Sequence, residues 1–306
     1  MFRITLRQLE IFRAVAGEGS TAAAALKLPL SQSATSAGLN QLERSLGFRL
    51  FDRIGKRLAI NAEGKALLSK ALGVLDNAHQ LETGDSRSGA FDLRIHASTT
   101  IGNYLVPRLL ASFRRECPLG RVETRIGNTL EVTRAIQDFL SELGLIEGPC
   151  HEPGLVVTPW IRDELVLVAA PAHPLARAAK KRPLTIAQLS AAPWLLREQG
   201  SGTREAVDLA LLPHIHSFGE ARVLGGSEAI KNTAAYGLGV SCLSRWVVED
   251  LVRARRLSIL ATRLPPLERR LSLVWHREKT LSGGLSRFIA HCRSLEPGPL
   301  PRPQRS

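Results

Sequence analysis

The sequence predicts a small helical head with a winged helix-turn-helix, a linker helix, and a larger α/β part. Three observations lead there. The first sixty residues give three helical patterns and then a short basic hairpin. A heptad-spaced apolar stripe follows, and beyond residue 90 strand-like runs alternate with helix-like ones. A length of 306 residues calls for two or three domains. With 44% hydrophobic and 23% charged residues, the composition is globular, which excludes collagen-like, disordered and disulfide-stapled classes. Aromatic residues are only 5%, so the cores must be built from Leu, Ile, Val and Ala.

In the head (1–61), Leu6, Leu9, Ile11, Phe12 and Val15 form an apolar stripe at helical spacing, which Gly17-Glu18-Gly19 stops. Ser20 or Thr21 then stands where an N-cap belongs, because a hydroxyl can accept an orphan backbone N–H. Ala22–Leu26 is rich in small side chains, which suits a closely packed second helix. Leu28-Pro29-Leu30 ends it, since proline lacks an N–H and restrains its predecessor. Ser31 caps a third helix, Gln32–Leu46, expected to turn Ala34, Ala37, Leu39, Leu42 and Leu46 inward. Phe48–Arg53, a turn at Ile54-Gly55-Lys56-Arg57 and the return Leu58–Ile60 then read as a hairpin.

That order of elements presents the start of a recognition helix to the DNA major groove. Gln and Asn pair with adenine edges, and Ser and Thr reach bases or phosphates. The expected DNA-binding residues are Ser20, Ser31, Gln32, Ser33, Thr35, Ser36 and Asn40, with Arg53, Lys56 and Arg57 on the phosphate backbone. A net charge of +13 supports a polyanionic partner, nucleic acid before membrane. Its distribution would mislead by itself. Residues 1–84 carry 11 basic and 7 acidic side chains, residues 85–251 carry 18 of each, and residues 252–306 carry 12 and 3. The neutral middle suits a domain that meets a small ligand.

In the linker (62–84), Leu67, Ala71, Val74, Ala78 and Leu81 recur with heptad spacing, a seam that favours pairing with a second helix. The alternative is that the stripe packs on its own domain. A polar, glycine-rich hinge (85–92) follows. Beyond it, strands are expected at 93–97, 121–126, 143–146, 156–161, 165–169, 240–243 and 271–275. Helices are expected at 103–116, 129–140, 203–212, 227–236 and 285–295, and a Pro-rich tail at 297–306. Such alternation implies mostly parallel sheets.

The stretch Leu6–Leu68 strongly resembles the N-terminal domain of LysR-type transcriptional regulators. The matching pieces are Leu6-Arg7-Gln8-Leu9, Ser20 with its alanines, Leu30-Ser31-Gln32-Ser33-Ala34 followed by Ser36, Leu42-Glu43, Gly47, Leu50-Phe51 and Arg53. It departs at Thr35, where Val is commoner, and at Ile60-Asn61, where Leu-Thr is commoner. The resemblance runs on to about Glu296. It implies a regulatory domain (93–296) of two lobes joined by two crossovers, like periplasmic binding proteins. Lobe I would be 93–164 with 267–296, and lobe II 165–266. It also implies double-stranded DNA with two half-sites as partner, and a homodimer through the linker that assembles to a homotetramer. RNA polymerase is a further candidate partner. The segments 97–107, 146–150, 164–176, 196–205 and 237–245 resemble the YeiE-like and CysL-like branch, tied to sulfur metabolism and sulfite response.

Ligands of open α/β sheets sit beyond strand ends, at helix N-termini. Three loops fit: Ser98-Thr99-Thr100, Gly127-Asn128-Thr129 and Gly200-Ser201-Gly202-Thr203, with Gly225-Gly226-Ser227 a weaker fourth. The expected effector-binding residues are Ser98, Thr99, Thr100, Asn128, Glu147, Ser201, Gly202 and Thr203, and the expected ligand is a small anion, sulfite first. Glu147 is expected to face the cleft and accept a proton from bisulfite, or else to pair with a cation such as Arg204. The alternatives are a redox regulator using Cys150 and a regulator answering a different small organic acid. No Walker A, H-E-x-x-H, G-x-S-x-G or G-x-G-x-x-G motif stands in a suitable setting, so no enzyme, cofactor or metal is expected. The lack of an export signal, of a spanning segment and of any C-x-x-C points to a cytoplasmic protein with no membrane role.

Overall fold

The computed structural model describes residues 3–55, 57–83, 90–279 and 281–295. Lys56, hinge residues 85–89, the 297–306 tail and the side chain of Leu81 lie outside the described residues. Helix α1 (Leu6–Glu18) starts at Thr5, whose hydroxyl accepts from the Gln8 N–H while the Gln8 side chain returns to the Thr5 N–H. That capping box turns Gln8 inward and leaves Leu6 exposed, so the apolar stripe begins at Leu9. Ser20 and Ser31 cap α2 (Thr21–Lys27) and α3 (Gln32–Leu46) as expected.

Strands β1 (Phe51–Ile54) and β2 (Arg57–Ile60) pair antiparallel as a wing, with Ile54 opposite Arg57. The Leu58 N–H donates to Gly19 O at 2.8 Å, which pins the wing to the turn before α2. Asn61, one of the family departures, caps α4 (Ala62–Thr83). Its side chain accepts from Gly64 N at 2.8 Å and donates to Arg49 O at 2.9 Å. A Cβ on Gly64 would lie 2.2 Å from Leu50 O, so the helix needs glycine to pass this close.

Leu68, Ala71, Leu72 and Leu75 of α4 are buried in one core with Phe12, Leu39, Leu42 and Leu50. This corrects the heptad reading in part. Ala71 belongs to the head's own core and Leu67 packs at its edge, whereas Val74 is 47% exposed and Ala78 half-buried. The stripe is divided between residues taken by the head's core and the exposed Val74.

In the regulatory domain, β3 (Phe91–Ser98), α5 (Thr99–Tyr104), α6 (Val106–Glu116), β4 (Gly120–Gly127), α7 (Thr129–Gln137) and β5 (Leu143–Glu147) build a parallel β5-β3-β4 sheet. Phe91 and Asp92, read as hinge, open β3, and Phe91 packs on Phe113. The single helix expected at 103–116 is two, divided at Leu105 ahead of Pro107, where a proline is tolerated in the first turn. The two strands expected at 156–161 and 165–169 are one, β6 (Leu155–Ala169). It carries the chain into a second lobe of α8 (Pro174–Lys181), α9 (Ile186–Ser190), β7 (Pro193–Arg197), α10 (Gly202–Ile215), β8 (Glu220–Leu224), α11 (Ser227–Ala235), β9 (Ser241–Ser244), α12 (Arg245–Arg253) and β10 (Ser258–Ile259). Strand β11 (Leu267–His276) returns antiparallel along β6, and α13 (Gly283–Ser294) closes lobe I.

The main sheet runs β10-β6-β11-β5-β3-β4 with β9 also on β6, while β7 and β8 pair separately. It is mixed rather than mostly parallel, because β6 and β11 are the two crossovers. Separate cores flank them: Ile95, Phe113, Leu145 and Phe288 in lobe I, and Leu167, Trp194, Leu211 and Val240 in lobe II. After α7, Phe139 adopts a left-handed backbone (φ 52°). Its ring lies 4.2 Å from that of His276 and is buried against the head's core, with Lys65 and Asp138 4.0 Å apart beside it.

Candidate DNA interface and effector cleft

Ser20, Gln32, Ser36, Asn40 and Arg53 line one groove between α2, α3 and the wing. Gln32, Ser33, Asn40, Arg53 and Arg57 are exposed. Ser20 and Ser31 spend their hydroxyl oxygens on the caps, and Ser31 also bonds Ser33 at 2.9 Å. Thr35 departs from expectation. It is fully buried and its hydroxyl donates to Ser31 O at 3.0 Å, so it braces the cap and reaches no base. Ala34 and Ala37, expected inward, are exposed, because the inward register of α3 runs through Thr35, Leu39 and Leu42. Arg49 also lines the groove and was not singled out; the signal was a cation immediately before the wing.

The effector residues split into two groups. The first is a buried network at the lobe crossing. Glu147, expected to face the cleft, ends β5 at 2% exposure. Its carboxylate accepts from Thr100 N at 2.5 Å and Thr203 Oγ1 at 2.7 Å, and pairs with Arg269 Nη1 at 3.0 Å. The partner is Arg269 of β11, not Arg204, which pairs with Asp208. Arg269 also holds Asp163 at 2.6 Å, and its Nη1 donates to Thr203 Oγ1 at 2.8 Å. Burial pushes the Glu147 carboxyl up, but Arg269 and the hydroxyls outweigh it and hold it below the usual range. Burial wins at Asp163, whose pKa is raised. Ser98 and Thr100 are buried in the same place. A Cβ on Gly202 would lie 1.4 Å from Glu147 O, so Gly202 is there to let the lobes cross. The sequence could not show this network, because Asp163 and Arg269 lie 106 residues apart.

The second group borders the gap between the lobes. Thr99 Oγ1 donates to Gly127 O at 3.1 Å and accepts from Arg197 Nη2 at 3.4 Å. Asn128 caps α7 and its Nδ2 approaches Glu198 Oε1 at 3.5 Å. Ser201 caps α10, and Leu130 N donates to Gly200 O at 3.0 Å. Arg197, at the end of β7, is 3% exposed. It donates to Ser227 Oγ at 2.9 Å and grips Glu198 with two bonds of 2.7 Å. Sequence reasoning missed Arg197 and Glu198, while Ser227 lies in the weaker fourth loop; the signal was a basic residue ending an unrecognised strand just before the Gly200 loop. Farther out, Tyr104 donates to Glu228, which with Asp250 holds Lys231. Burial and the Glu228 bond push the Tyr104 hydroxyl up to about 12.

A winged helix-turn-helix joined to two lobes that meet through polar contacts is the architecture of a ligand-responsive transcription regulator. Family models agree: "Bacterial regulatory helix-turn-helix protein, lysR family" matches residues 6–65 and "LysR substrate binding domain" matches residues 87–296. The chain belongs to the LysR family of DNA-binding transcriptional regulators and is not an enzyme. It is 49% identical over 300 residues to the uncharacterized HTH-type regulator YeiE of Escherichia coli K12, covering 98% of this chain and 99% of that one. Full-length OxyR from Pseudomonas aeruginosa shares the fold, with TM-score 0.77, 22% identity and 96% and 94% coverage. The Synechocystis PCC6803 CcmR regulatory domain in complex with 2-PG aligns at 31% identity and TM-score 0.59, covering 66% of this chain and 95% of that one.

Proposed function

We propose that this regulator answers a small oxyanion, sulfite first, held in the gap between the lobes. The observation that carries the reading is Arg197. A guanidinium this buried, with hydroxyls of Thr99 from one lobe and Ser227 from the other beside it, is a preformed anion receptor. The CcmR domain with 2-PG supports a small ligand in a domain of this kind. The effector residues on this reading are Thr99, Asn128 and Ser201 with Arg197 and Ser227. Ser98, Thr100, Glu147, Gly202 and Thr203 act as the fixed crossing that orients them. The Cys150 alternative is disfavoured: burial pushes its thiol up, whereas a sensor thiol needs a lowered pKa.

The DNA contact is assigned to Gln32, Ser33, Ser36 and Asn40 at base edges and to Arg49, Arg53 and Arg57 at phosphates. The open side of α4, at Val74 and Ala78, is assigned to a dimer that presents two heads to two half-sites, and pairs of dimers give a tetramer. The test is thermal denaturation of the full chain with sodium sulfite under reducing conditions. At 100 times the dissociation constant, binding adds about 2.7 kcal/mol of stability. No shift with sulfite, phosphate or 2-PG would remove the anion reading while leaving the DNA-binding function in place.

A further inference from the structure

We propose that the Glu198 carboxylate is the regulator's own occupant of the effector position, and that the effector binds by exchanging with it on Arg197. The inference rests on the anion reading above and deepens it.

Arg197 is fixed. It is buried, its Nη1 is tied to Ser227 Oγ at 2.9 Å, and it lies on the last residue of a strand inside lobe II. Glu198 is not. It is the first residue beyond that strand, its side chain is 26% exposed, and apart from Arg197 its carboxylate meets only the Asn128 amide, at 3.5 Å, among the side chains of the described residues. The two 2.7 Å bonds from Nε and Nη2 are the fork geometry with which a guanidinium receives two oxygens of one anion. Glu198 can swing outward by side-chain rotation. Arg197 cannot follow it, and a buried guanidinium left alone is strongly unfavourable. Departure of Glu198 therefore requires another anion in its place.

Around that place stand the Thr99 hydroxyl and the Asn128 amide, while Ser227, the first residue of α11 (Ser227–Ala235), holds the remaining nitrogen Nη1. An anion with two terminal oxygens, such as sulfite, phosphate or a carboxylate, reproduces both bonds of Glu198. A halide offers one acceptor centre in place of the two oxygens of Glu198.

The exchange sets a threshold. A tethered carboxylate competes at an effective concentration on the order of millimolar or above, so trace oxyanion leaves the regulator in its resting state. Removing the competitor should tighten binding without adding a contact.

Titration calorimetry on the full chain, at pH 7 under reducing conditions, tests this with sodium sulfite, sodium phosphate and 2-PG as probes. Glu198→Ala is expected to bind whichever probe the wild type prefers at least tenfold more tightly. Glu198→Gln, which keeps the shape and loses the charge, is expected to fall between, and it carries the test if the alanine variant does not fold. Arg197→Met in the Glu198→Ala background is expected to abolish the gain. Binding by Glu198→Ala where wild type gives no heat would also support the exchange. A wild-type protein that binds a probe with affinity unchanged in both Glu198 variants would overturn the exchange and leave the anion cleft standing. No heat from wild type or variants with any probe would overturn both.

Discussion

Two glutamates stand at the lobe boundary, and they do opposite work. Glu147 is sealed among Thr100, Thr203 and Arg269, with a strand end behind it and Gly202 pressed against its carbonyl. Glu198, fifty-one residues on, holds an equally buried arginine but keeps one side to solvent. In the first pair both partners are buried, so the pair is architecture. In the second only the cation is buried, so the anion is replaceable. Burial of both ends, not the presence of a carboxylate near a guanidinium, separates a brace from a receptor.

The sharpest way to break this contrast is to remove the arginine of the buried pair. Arg269→Met would leave Glu147 and Asp163 buried without a cation, a loss of about 3–5 kcal/mol in denaturant unfolding of the full chain. A loss below about 1 kcal/mol would mean the crossing is not held by this network. Gly202→Ala drives a methyl into Glu147 O and is expected to cost about 3 kcal/mol or more by the same measurement.

The head offers an internal control, because its residues divide the same way. Gln32→Ala should lose roughly 1–3 kcal/mol of binding and relax sequence choice. Arg53→Ala should weaken all sequences alike and lower the salt slope by about one. Buried Thr35→Val should cost about 1 kcal/mol of stability with sequence choice unchanged; a changed preference in binding-site selection would return Thr35 to the interface.

The smallest effect is in pH. Glu147 and Glu198 are both held below the usual carboxyl range of about 4.5. Their ionised forms therefore stabilise the fold above that range, and this contribution is lost as pH falls through the lowered values. Urea midpoints from pH 7 down to pH 3 should fall for the wild type and fall less steeply for Glu198→Gln. An equal slope would mean that the ionised Glu198 contributes no stability.

The head was legible in the sequence because its signals are local. Ser20, Ser31 and Gly19 punctuate helices within a few residues of the groups they satisfy. Thr35 misled because a polar residue early in a recognition helix looks exposed until its hydroxyl finds the carbonyl four residues back. The cleft was legible only as loops. Ser98, Asn128 and Ser201 were identifiable as helix starts, but which of them face solvent depends on β11 arriving from the far end of the chain with Arg269. Strands β7 and β8 were overlooked, and Arg197, the last residue of β7, went with them. The linker stripe was read as one surface because spacing alone does not say which of its residues the head's own core takes.

Phe139 gives the assembly a mechanical property. Helix α7 begins at Asn128 beside the gap and ends where that ring sits in the head's core. Turning the head about its linker would draw the ring into water, at about 1.5–3 kcal/mol for a side chain of this size. The head is therefore latched rather than free to swivel: small torques are absorbed, and only a displacement large enough to unseat the ring changes its bearing.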